Sequence, residues 1–370
     1  MREDVPCRMS NPGTPTAERI REVSAVFAGR PGTGIRGPED FSSLLRLELG
    51  HEEALDRPVK SGGGWQRALA PGLVYHVCAS NLAVSAETAL ALGLVLGAEL
   101  VFKLPSSGLV DFVALVESLP APLRGRVRLL TAHDPGIMSR ADAVVVFGGR
   151  EAVEVFRREV RWDQRFMAYG PKISLGWVSA GTASAEWALA AAREIRAFGQ
   201  RGCLSPQTYL CADRAEAELF GGLLAAVLSG DVAEPGRDAT AEERALVREA
   251  RQRARVRGDT VLEAEQFPGW TVVIRDEARI EPGPGCGFVE ILSSQDPGVL
   301  EGWRGWISSV SITVDRLPGA LLEVFSGCGI SRVCRMGELQ NPPLAWRHDG
   351  QPRLAPLVRW IACDPGLEVE

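Results

Sequence analysis

Two hydrophobic patterns alternate through the middle of the chain. Short apolar runs rich in β-branched residues predict strands over Leu73–Cys78, Leu100–Lys103, Val127–Leu130 and Ala143–Phe147. Apolar residues at helical spacing predict the intervening helices Ser85–Gly97, Val110–Leu119 and Glu151–Glu159. Strands that alternate with helices of this length are typical of βαβ units, whose parallel sheet is covered on both faces. We therefore expect an α/β fold that binds ligands at the carboxyl ends of its strands.

A second region of the same kind begins at residue 173. Its predicted strands are Ile173–Ser179, Pro206–Cys211, Trp270–Ile274, Phe288–Leu292 and Ile307–Val314. Its predicted helices are Ala185–Phe198, Ala215–Leu228 and Thr240–Val256. The charged stretch Glu242–Arg257 is typical of a solvated helix face, although it could also dock an acyl-transferring partner.

The remaining segments carry weaker patterns. Residues 1–40 are rich in Pro, Gly and charge and predict partial disorder around one helix, Ala17–Phe27. The other weak predictions are a helix over Phe41–Leu55, a turn at 61–64, a loop over 231–238, an extended segment over Met336–Asp349 and a short helix over Leu354–Ile361. The turn at 61–64 lacks the Lys-Ser/Thr of a phosphate loop.

The composition excludes several classes of protein. The 370 residues suffice for two or three domains, and a net charge of −6 provides no polybasic surface for nucleic acid. Eight cysteines without a CxxC pair and four scattered histidines indicate reduced thiols and no metal site. Met1–Pro15 lacks the apolar core of a signal peptide, and the most apolar run, Thr88–Ala98, is shorter than the roughly 20 residues that span a bilayer. We expect a cytoplasmic protein.

One stretch presents a candidate nucleophile. The predicted helix 185–198 runs into Gly199, and a glycine-bounded loop then carries Cys203 ahead of the next strand. A thiol held between glycine-permitted turns at a helix-to-strand connection is well presented for attack. The alternative is a structural cysteine, because free cysteine is often only a small core residue. Core packing is the expected role of Cys211, which lies inside the following strand.

Three further motifs follow strands in a fixed order. They are Ala79-Ser80-Asn81, Phe102-Lys103-Leu104-Pro105-Ser106 and Val146-Phe147-Gly148-Gly149-Arg150-Glu151. Singly, each has an ordinary interpretation: a turn asparagine, a solvated strand-end lysine, and a glycine turn that lacks the full GxGxxG fingerprint. Their order along the chain, with Cys203 as the fourth feature, gives them their significance.

In this order and spacing, the four features resemble the aldehyde dehydrogenase superfamily. Within it, the chain is similar to the LuxC-type fatty acyl-CoA reductases, which feed aldehyde to bacterial luciferase. The segments that carry this narrower resemblance are Gly199-Gln200, Cys203-Leu204-Ser205-Pro206-Gln207, Met336-Gly337-Glu338-Leu339-Gln340, Trp346-Arg347-His348-Asp349-Gly350 and Leu357-Val358-Arg359-Trp360. The resemblance covers residues 70 to 362 and implies an aldehyde dehydrogenase-like α/β fold, with a Rossmann-like cofactor domain and an α/β catalytic domain.

The resemblance also implies a division of the chain. We expect an N-terminal helical, partly disordered region over 1–70 and a cofactor-binding domain over 71–172. A catalytic domain over 173–335 would carry Cys203, and 336–370 would form a C-terminal tail. We also expect a homo-oligomer.

By the same resemblance, Cys203 would be the nucleophile that accepts the acyl group. Asn81 would donate its side-chain amide to the oxyanion, alongside the backbone N–H of Cys203. The role of His348 stays open between orienting a substrate or the tail and a plain packing role. His76, in an alternating strand, is expected to be a satisfied core histidine.

The cofactor residues follow in the same way. Lys103 would contact the adenosine ribose of a nicotinamide cofactor, and Gly148 and Gly149 would let the backbone approach it. Three residues after that lysine, many NAD-preferring relatives carry a glutamate, whereas this chain has Ser106. A small neutral residue leaves room for a 2′-phosphate, so we expect NADPH, with NADH possible.

Two departures from the superfamily pattern bear on the reaction. Hydrolytic aldehyde dehydrogenases carry a water-activating glutamate where this chain has Ala168, in Ala168-Tyr169-Gly170-Pro171-Lys172. A site without that base protects an acyl-enzyme from water. The glutamate that holds the nicotinamide ribose in relatives has two candidates here, Glu281 and Glu290.

The sequence therefore predicts an NADPH-dependent reduction of an acyl-CoA or acyl-carrier thioester to an aldehyde, through an acyl-cysteine intermediate. Two alternatives remain open. One is a hydrolytic NAD(P)-dependent aldehyde dehydrogenase, and the other is a non-catalytic scaffold in an acyl-transfer complex.

Overall fold

The computed structural model describes residues 13–230, 239–276 and 279–369. The loop predicted over 231–238 and the start of the predicted N-terminal region lie outside these residues. The chain forms two compact units: unit 1 runs up to Pro171 and resumes at Asn341, and unit 2 comprises Lys172–Gln340. The four-part division expected from the sequence stays a prediction.

Helices and strands are numbered here in chain order. The helices are α1 (Thr16–Phe27), α2 (Pro38–Leu49), α3 (Val84–Leu96), α4 (Val110–Ser118), α5 (Ala121–Arg124), α6 (Pro135–Met138), α7 (Arg150–Glu159), α8 (Ala185–Arg196), α9 (Arg214–Ser229), α10 (Ala241–Arg257), α11 (Gly298–Glu301) and α12 (Gly319–Gly327). The strands are β1 (Val59–Ser61), β2 (Gly64–Leu69), β3 (Leu73–Val77), β4 (Glu99–Lys103), β5 (Val127–Leu130), β6 (Ala143–Phe147), β7 (Arg165–Tyr169), β8 (Ile173–Val178), β9 (Pro206–Cys211), β10 (Thr260–Glu263), β11 (Thr271–Arg275), β12 (Phe288–Leu292), β13 (Ile307–Ile312), β14 (Arg332–Arg335) and β15 (Arg359–Cys363). Short 3-10 helices occupy Ala197–Gln200 and His348–Gly350.

Unit 1 is built on a five-stranded parallel sheet with the order β5-β4-β3-β6-β7. Alternate residues of β3 enter two cores: Val74 packs with α1 to α4, whereas Tyr75 and Val77 pack with α6 and α7. The chain passes from β3 to β4 on one side and later returns to β6 on the other. This reversal of strand order marks the point where open α/β sheets bind ligands.

His76 is buried in β3, as predicted, with its ring stacked on Phe102 at a centroid distance of 4.6 Å. The prediction that it is satisfied is wrong, because neither ring nitrogen has a hydrogen-bond partner among the described residues. Burial lowers the pKa of His76 to about 3 and so keeps the imidazole neutral. His76 is a packing residue.

A second sheet in unit 1 is antiparallel, with the order β1-β2-β15. The predicted turn at 61–64 is confirmed: Gly62 and Gly63, with φ of 58° and 86°, connect β1 to β2. The helix predicted over Leu354–Ile361 is wrong, because a turn with buried Leu354 and Leu357 leads directly into β15. The apolar spacing that resembled a helix comes from this turn-to-strand junction.

Unit 2 is built on a seven-stranded sheet with the order β10-β11-β12-β9-β8-β13-β14. Only β10 is antiparallel to its neighbour within this sheet. One face packs against α8 and α9, and the other against α11 and α12. Gly176 of β8 is needed for this packing, since a Cβ there would overlap the buried ring of Tyr209.

Most predicted elements are confirmed to within about two residues. Two predicted helices end early where the backbone turns left-handed. α2 stops at Leu49 because Gly50 adopts a φ of 76°, and α8 stops at Arg196, ahead of a left-handed turn. Strands β1, β2, β7, β10 and β14 were not predicted. No helix of the described residues combines the length and apolarity needed to cross a bilayer.

Candidate active site

Cys203 lies in a short loop of unit 2 between α8 and β9. After Arg196 the chain reverses through Phe198, Gly199 and Gln200, with φ of 54°, 61° and 58°. Only glycine adopts this left-handed conformation freely. Phe198 and Gln200 therefore need contacts elsewhere in unit 2 to hold the turn.

The Gln200 side chain supplies such contacts, and it is only 3% exposed. Its amide nitrogen donates to the carbonyls of Pro206 and Phe288, both at 2.9 Å, and its amide oxygen accepts from the Gly287 N–H at 2.8 Å. These bonds join the turn to β9 and to the start of β12. They offset left-handed strain of about 1–3 kcal/mol per residue.

The loop itself is anchored on both sides of the thiol. The Ser174 hydroxyl donates to the Cys203 carbonyl at 2.8 Å. The Ser205 N–H donates to the Gly202 carbonyl at 3.0 Å, and the Ser205 hydroxyl accepts from the Gly202 N–H and from the Gln340 amide, each at 3.2 Å. Ser174 and Ser205 are completely buried. The backbone is thus fixed, while Cys203 as a residue stays partly exposed.

Other thiols of unit 2 are less suited to attack. Cys211 is completely buried in β9, and burial raises its pKa far above the ordinary value, which confirms its predicted packing role. Burial, reinforced by the charge of Glu243, also raises the pKa of Cys286. Since the thiolate is the nucleophilic form, these raised pKa values count against Cys211 and Cys286 as nucleophiles.

An ion pair connects the loop to the charged helix α10. Arg201, two residues before Cys203, donates through Nε to the Glu243 carboxylate at 2.9 Å. The same carboxylate accepts from the Thr240 N–H at 2.7 Å, and the Thr240 hydroxyl accepts from the Glu243 N–H at 3.1 Å. The start of α10 therefore supports the segment that carries the thiol.

The other predicted site residues lie together in unit 1. Strand β3 pairs with β4 and β6, so that Val77 is opposite both Lys103 and Val146. Asn81 follows β3, Lys103 ends β4, and Gly148 and Gly149 follow β6. Because the strands are parallel, these residues share the carboxyl edge of one sheet, at its reversal of strand order.

This edge suits a nicotinamide dinucleotide. Helices α3, α4 and α7 begin there, and their N-cap residues, all within the described part of the chain, make no side-chain hydrogen bond to the first turn. The first N–H groups of a helix start of this kind suit a phosphate. Gly149 is exposed, and a Cβ added to it would meet nothing within 4 Å. Lys103 is half-buried and Ser106 is exposed. The donor set therefore fits the cofactor.

An aromatic column stands beside the Gly148 turn. The Phe147 and Tyr169 rings stack at 4.7 Å, Tyr169 and His348 at 4.6 Å, and His348 lies 4.9 Å from the Trp346 ring. The Gly148 N–H donates to the Tyr169 carbonyl at 3.1 Å. Burial raises the pKa of Tyr169 to about 12, so it is a neutral packing ring. His348 belongs to this column rather than to an open surface.

Ala168, where the sequence resemblance expects a catalytic glutamate, has a defined place in the sheet. Ala168 lies in β7, opposite Val146 of β6, and its carbonyl accepts from the Gln351 amide at 3.2 Å. Its methyl group cannot activate water. The strand thus keeps its place in the sheet with no carboxylate at position 168.

Both candidate ribose-binding glutamates are engaged in ion pairs of unit 2. Glu290 is 3% exposed and accepts from Arg275 at 2.8 Å. Glu281 is partly exposed and accepts from Arg257 at 3.1 Å, with Arg275 at 3.5 Å. Of the two, Glu281 retains more exposure to a ligand.

The structure gives physical roles to residues that sequence reasoning used only as signatures. Gln200, Ser205 and Gln340 carried the resemblance, and in the structure they anchor the Cys203 loop. Ser174 was missed. The available signal was a hydroxyl inside the apolar strand β8, since a buried polar group requires a partner.

Comparisons with known proteins agree with this architecture. A family model described as "Acyl-CoA reductase (LuxC)" matches residues 35–360. The long-chain acyl-protein thioester reductase of Vibrio harveyi is 22% identical over 335 residues, covering 86% of this chain and 70% of the relative.

Two solved structures share the fold. Succinic semialdehyde dehydrogenase from Streptococcus pyogenes, solved with NADP+ as the cofactor, aligns with a TM-score of 0.65 at 14% identity, over 94% of this chain and 90% of its own. Proline utilization A from Bradyrhizobium japonicum aligns with a TM-score of 0.65 at 15% identity, over 95% of this chain. This chain spans less than half of that protein, 43%. The predicted aldehyde dehydrogenase-like fold is confirmed.

Proposed function

The chain belongs to the acyl-CoA reductase (LuxC) family, and on that premise we propose that it reduces a fatty acyl thioester to an aldehyde through an acyl group held on Cys203. The observation that carries the proposal is the Cys203 loop, whose backbone is anchored on both sides of a residue that stays partly exposed. A nucleophile that must meet a carbonyl carbon in one orientation gains from such anchoring.

The first step is acyl transfer to the protein. The Cys203 thiolate attacks the carbonyl carbon of the thioester, a new carbon–sulfur bond forms, and the donor thiolate leaves and takes up a proton. Arg201, two residues away along the loop, is paired with Glu243, so its contribution is to hold the loop rather than to add net charge. We assign the oxyanion donors to the Cys203 N–H and the Asn81 amide, where loss of one donor typically costs about 3 kcal/mol.

The second step depends on protecting the acyl-enzyme from water. Ala168 supplies no general base, so hydrolysis has no catalyst at the position where hydrolytic relatives carry one. The nicotinamide cofactor, when bound, supplies the hydride that reduces the acyl carbon. The Cys203 sulfur then leaves as thiolate and the aldehyde is released.

We assign the cofactor to the carboxyl edge of the unit 1 sheet. Lys103, Gly148 and Gly149 would hold its phosphates and ribose, and the helix start at Gly149 would add backbone N–H donors. Ser106 is exposed and neutral, so it would accept a 2′-phosphate without repulsion. NADPH is therefore the proposed form.

Product analysis tests this function. The protein is incubated with NADPH and long-chain acyl-CoA, or the same acyl group on a carrier protein, while NADPH consumption and aldehyde are measured. The proposal expects equal amounts of NADPH consumed and aldehyde formed with at least one donor. Free fatty acid without NADPH consumption, or aldehyde oxidation in the absence of CoA, would instead identify a hydrolytic enzyme.

A further inference from the structure

Glu194 on α8 is a carboxylate without a role in the chemistry described above. It is 1% exposed, and three donors from other parts of unit 2 converge on it. The N–H groups of Gly337 and Leu339 donate at 2.7 and 2.9 Å, and the Ser311 hydroxyl donates at 3.2 Å. A carboxylate buried so completely is costly unless its donors are fixed.

The convergent donors belong mainly to the segment Met336–Gln340, which has no helix or strand of its own. Gly337 has a φ of 101°, and a Cβ added there would lie 3.2 Å from Ala190 of α8. The segment therefore lies directly against α8. Its course depends on hydrogen bonds to side chains, and Glu194 accepts two of its backbone N–H groups.

The same segment ends at the Cys203 loop. The Gln340 amide donates to the backbone carbonyl of Glu194 at 3.3 Å and to the Ser205 hydroxyl at 3.2 Å. That hydroxyl accepts from the N–H of Gly202, the residue before Cys203, at 3.2 Å. A continuous set of hydrogen bonds thus connects the Glu194 residue to the backbone beside the thiol.

We propose that Glu194 is a positioning residue for the nucleophile: it fixes the segment Met336–Gln340, and through Gln340 and Ser205 it sets the Cys203 loop. The proposal rests on the proposed role of Cys203 and extends it to a residue that does not touch the substrate. We call these hydrogen bonds, from Glu194 to the segment and from Gln340 to Ser205, the clamp. Their loss displaces the loop, and a displacement of about 1 Å can cost up to about a hundredfold in rate.

The surroundings of Glu194 make the clamp sensitive to pH. Burial raises the pKa of Glu194 to about 7, opposed by its hydrogen bonds to Leu339, Gly337 and Ser311 and by the charge of Arg332. The other titratable groups that face it or its segment are Tyr209, Cys334 and Glu338.

The raised pKa of Glu194 determines how the stability of the fold changes with pH. The ordinary pKa of Glu194 is 4.5, so the folded protein retains a proton that the unfolded chain loses between that value and about 7. Stability therefore falls as pH rises through this interval. Glu194→Gln keeps the shape and the acceptor but cannot titrate, and it should remove this contribution.

The test compares Glu194→Ala and Glu194→Gln with a matched control, Glu216→Ala. Glu216 lies on α9, is 9% exposed, and accepts from two backbone N–H groups, those of Thr182 and Ala183 at 3.0 and 3.3 Å. The backbone groups that Glu216 holds follow β8, at the carboxyl edge of the unit 2 sheet, whereas the Cys203 loop lies at the amino end of β9. Amide hydrogen exchange over residues 202–205, melting temperature and the rate of Cys203 acylation by acyl-CoA are measured for each.

We expect both alanine variants to melt lower, and only Glu194→Ala to accelerate exchange over 202–205 and slow acylation by about tenfold or more. Glu194→Gln should acylate within about threefold of the unsubstituted protein and gain in relative melting temperature from about pH 5 to about pH 7. Unchanged exchange in Glu194→Ala, or the same changes in Glu216→Ala, would overturn the proposal.

This design distinguishes a variant that fails to fold from a failure of the proposed function. If Glu194→Ala does not fold, Gln340→Ala breaks the last link of the clamp and should show the same exchange and acylation changes. If the unsubstituted protein never acylates Cys203, the proposed function fails, while the exchange data still decide whether Glu194 positions the loop.

Discussion

The five-stranded sheet of unit 1 and the seven-stranded sheet of unit 2 differ in what occupies their carboxyl edges. In unit 1 that edge is open: α3, α4 and α7 start without side-chain caps among the described residues, and Ser106 and Gly149 are exposed. In unit 2 the chain's own side chains fill it. Glu216 accepts from the Thr182 N–H at 3.0 Å, and the Gln295 amide donates to the Leu210 carbonyl at 3.1 Å.

The helices that start at the unit 2 edge are likewise capped, α8 by Ser184 and α9 by Asp213. The candidate nucleophile lies elsewhere, in the loop that enters β9 from its amino end. A ligand that binds and leaves needs unsatisfied donors at an accessible edge. A residue that forms a covalent bond needs a fixed backbone instead. The contrast predicts that substitutions in unit 2 impair acyl transfer and leave cofactor binding intact, whereas substitutions at the unit 1 edge affect cofactor binding and, at Asn81, acyl transfer as well.

The largest effect is expected from Cys203→Ala. Acylation and aldehyde formation should fall by about 10⁴-fold or more, because no other group replaces the sulfur. NADPH binding, measured by quenching of tryptophan fluorescence, should stay within about twofold, since its residues lie in unit 1. Cys286→Ala is the matched control and should retain activity; acylation that persists in Cys203→Ala would reassign the nucleophile.

Asn81→Ala should have the next largest effect. We expect a loss of about 10²- to 10³-fold in the acylation rate, about 3 kcal/mol of transition-state stabilisation, with little change in melting temperature. Asn81 lies on the open edge of unit 1, so this result would sharpen the comparison by showing that the edge also serves acyl transfer. A rate within threefold of the unsubstituted protein would remove Asn81 from the site.

Ser106→Glu tests the cofactor preference of the open edge. A carboxylate there should repel a 2′-phosphate and accept the hydroxyls of an unphosphorylated ribose, so the ratio of NADPH to NADH affinity should fall by about 10- to 100-fold. The adjacent exposed residue offers a control, Ser107→Glu, which should change the ratio less. Equal ratios in all three proteins would contradict the assignment of Ser106.

Gln200→Ala tests the rigidity of the anchored loop and should have the smallest effect on chemistry. It leaves the Phe288 and Pro206 carbonyls and the Gly287 N–H without their partner, so the melting temperature should fall by about 5 °C. Acylation should slow by about tenfold while NADPH affinity is retained. Loss of NADPH binding in this variant would break the separation between the two units.

The sequence predicted most of the central α/β architecture because strong apolar periodicity coincided with glycine-marked ends. Strand Ala143–Phe147 and its following helix are confirmed in both type and position. The strand Arg165–Tyr169 was missed because Arg165 and Tyr169 bracket too short an apolar run. β15 was taken for a helix because long-range pairing with β2, which local spacing does not report, decides its conformation.

The candidate site was predictable only in part. Order along the chain singled out Cys203, Asn81 and Lys103 as candidates, which stay predictions, and parallel pairing in unit 1 explains why Asn81 and Lys103 meet at one edge. The hydrogen-bond partners of the loop anchors could not be predicted, even where the sequence marked the anchor itself. Ser174 and Glu194 act through hydrogen bonds to residues 29 and 143–145 positions away, and no local pattern encodes such partners.

The most direct test of the whole account is peptide-mapped mass spectrometry of the protein after incubation with a panel of acyl-CoAs without NADPH. The account predicts one acyl group per chain, located on Cys203, which disappears with the release of aldehyde when NADPH is added. An acyl group that maps to another residue, or that leaves as free acid when NADPH is added, would contradict it.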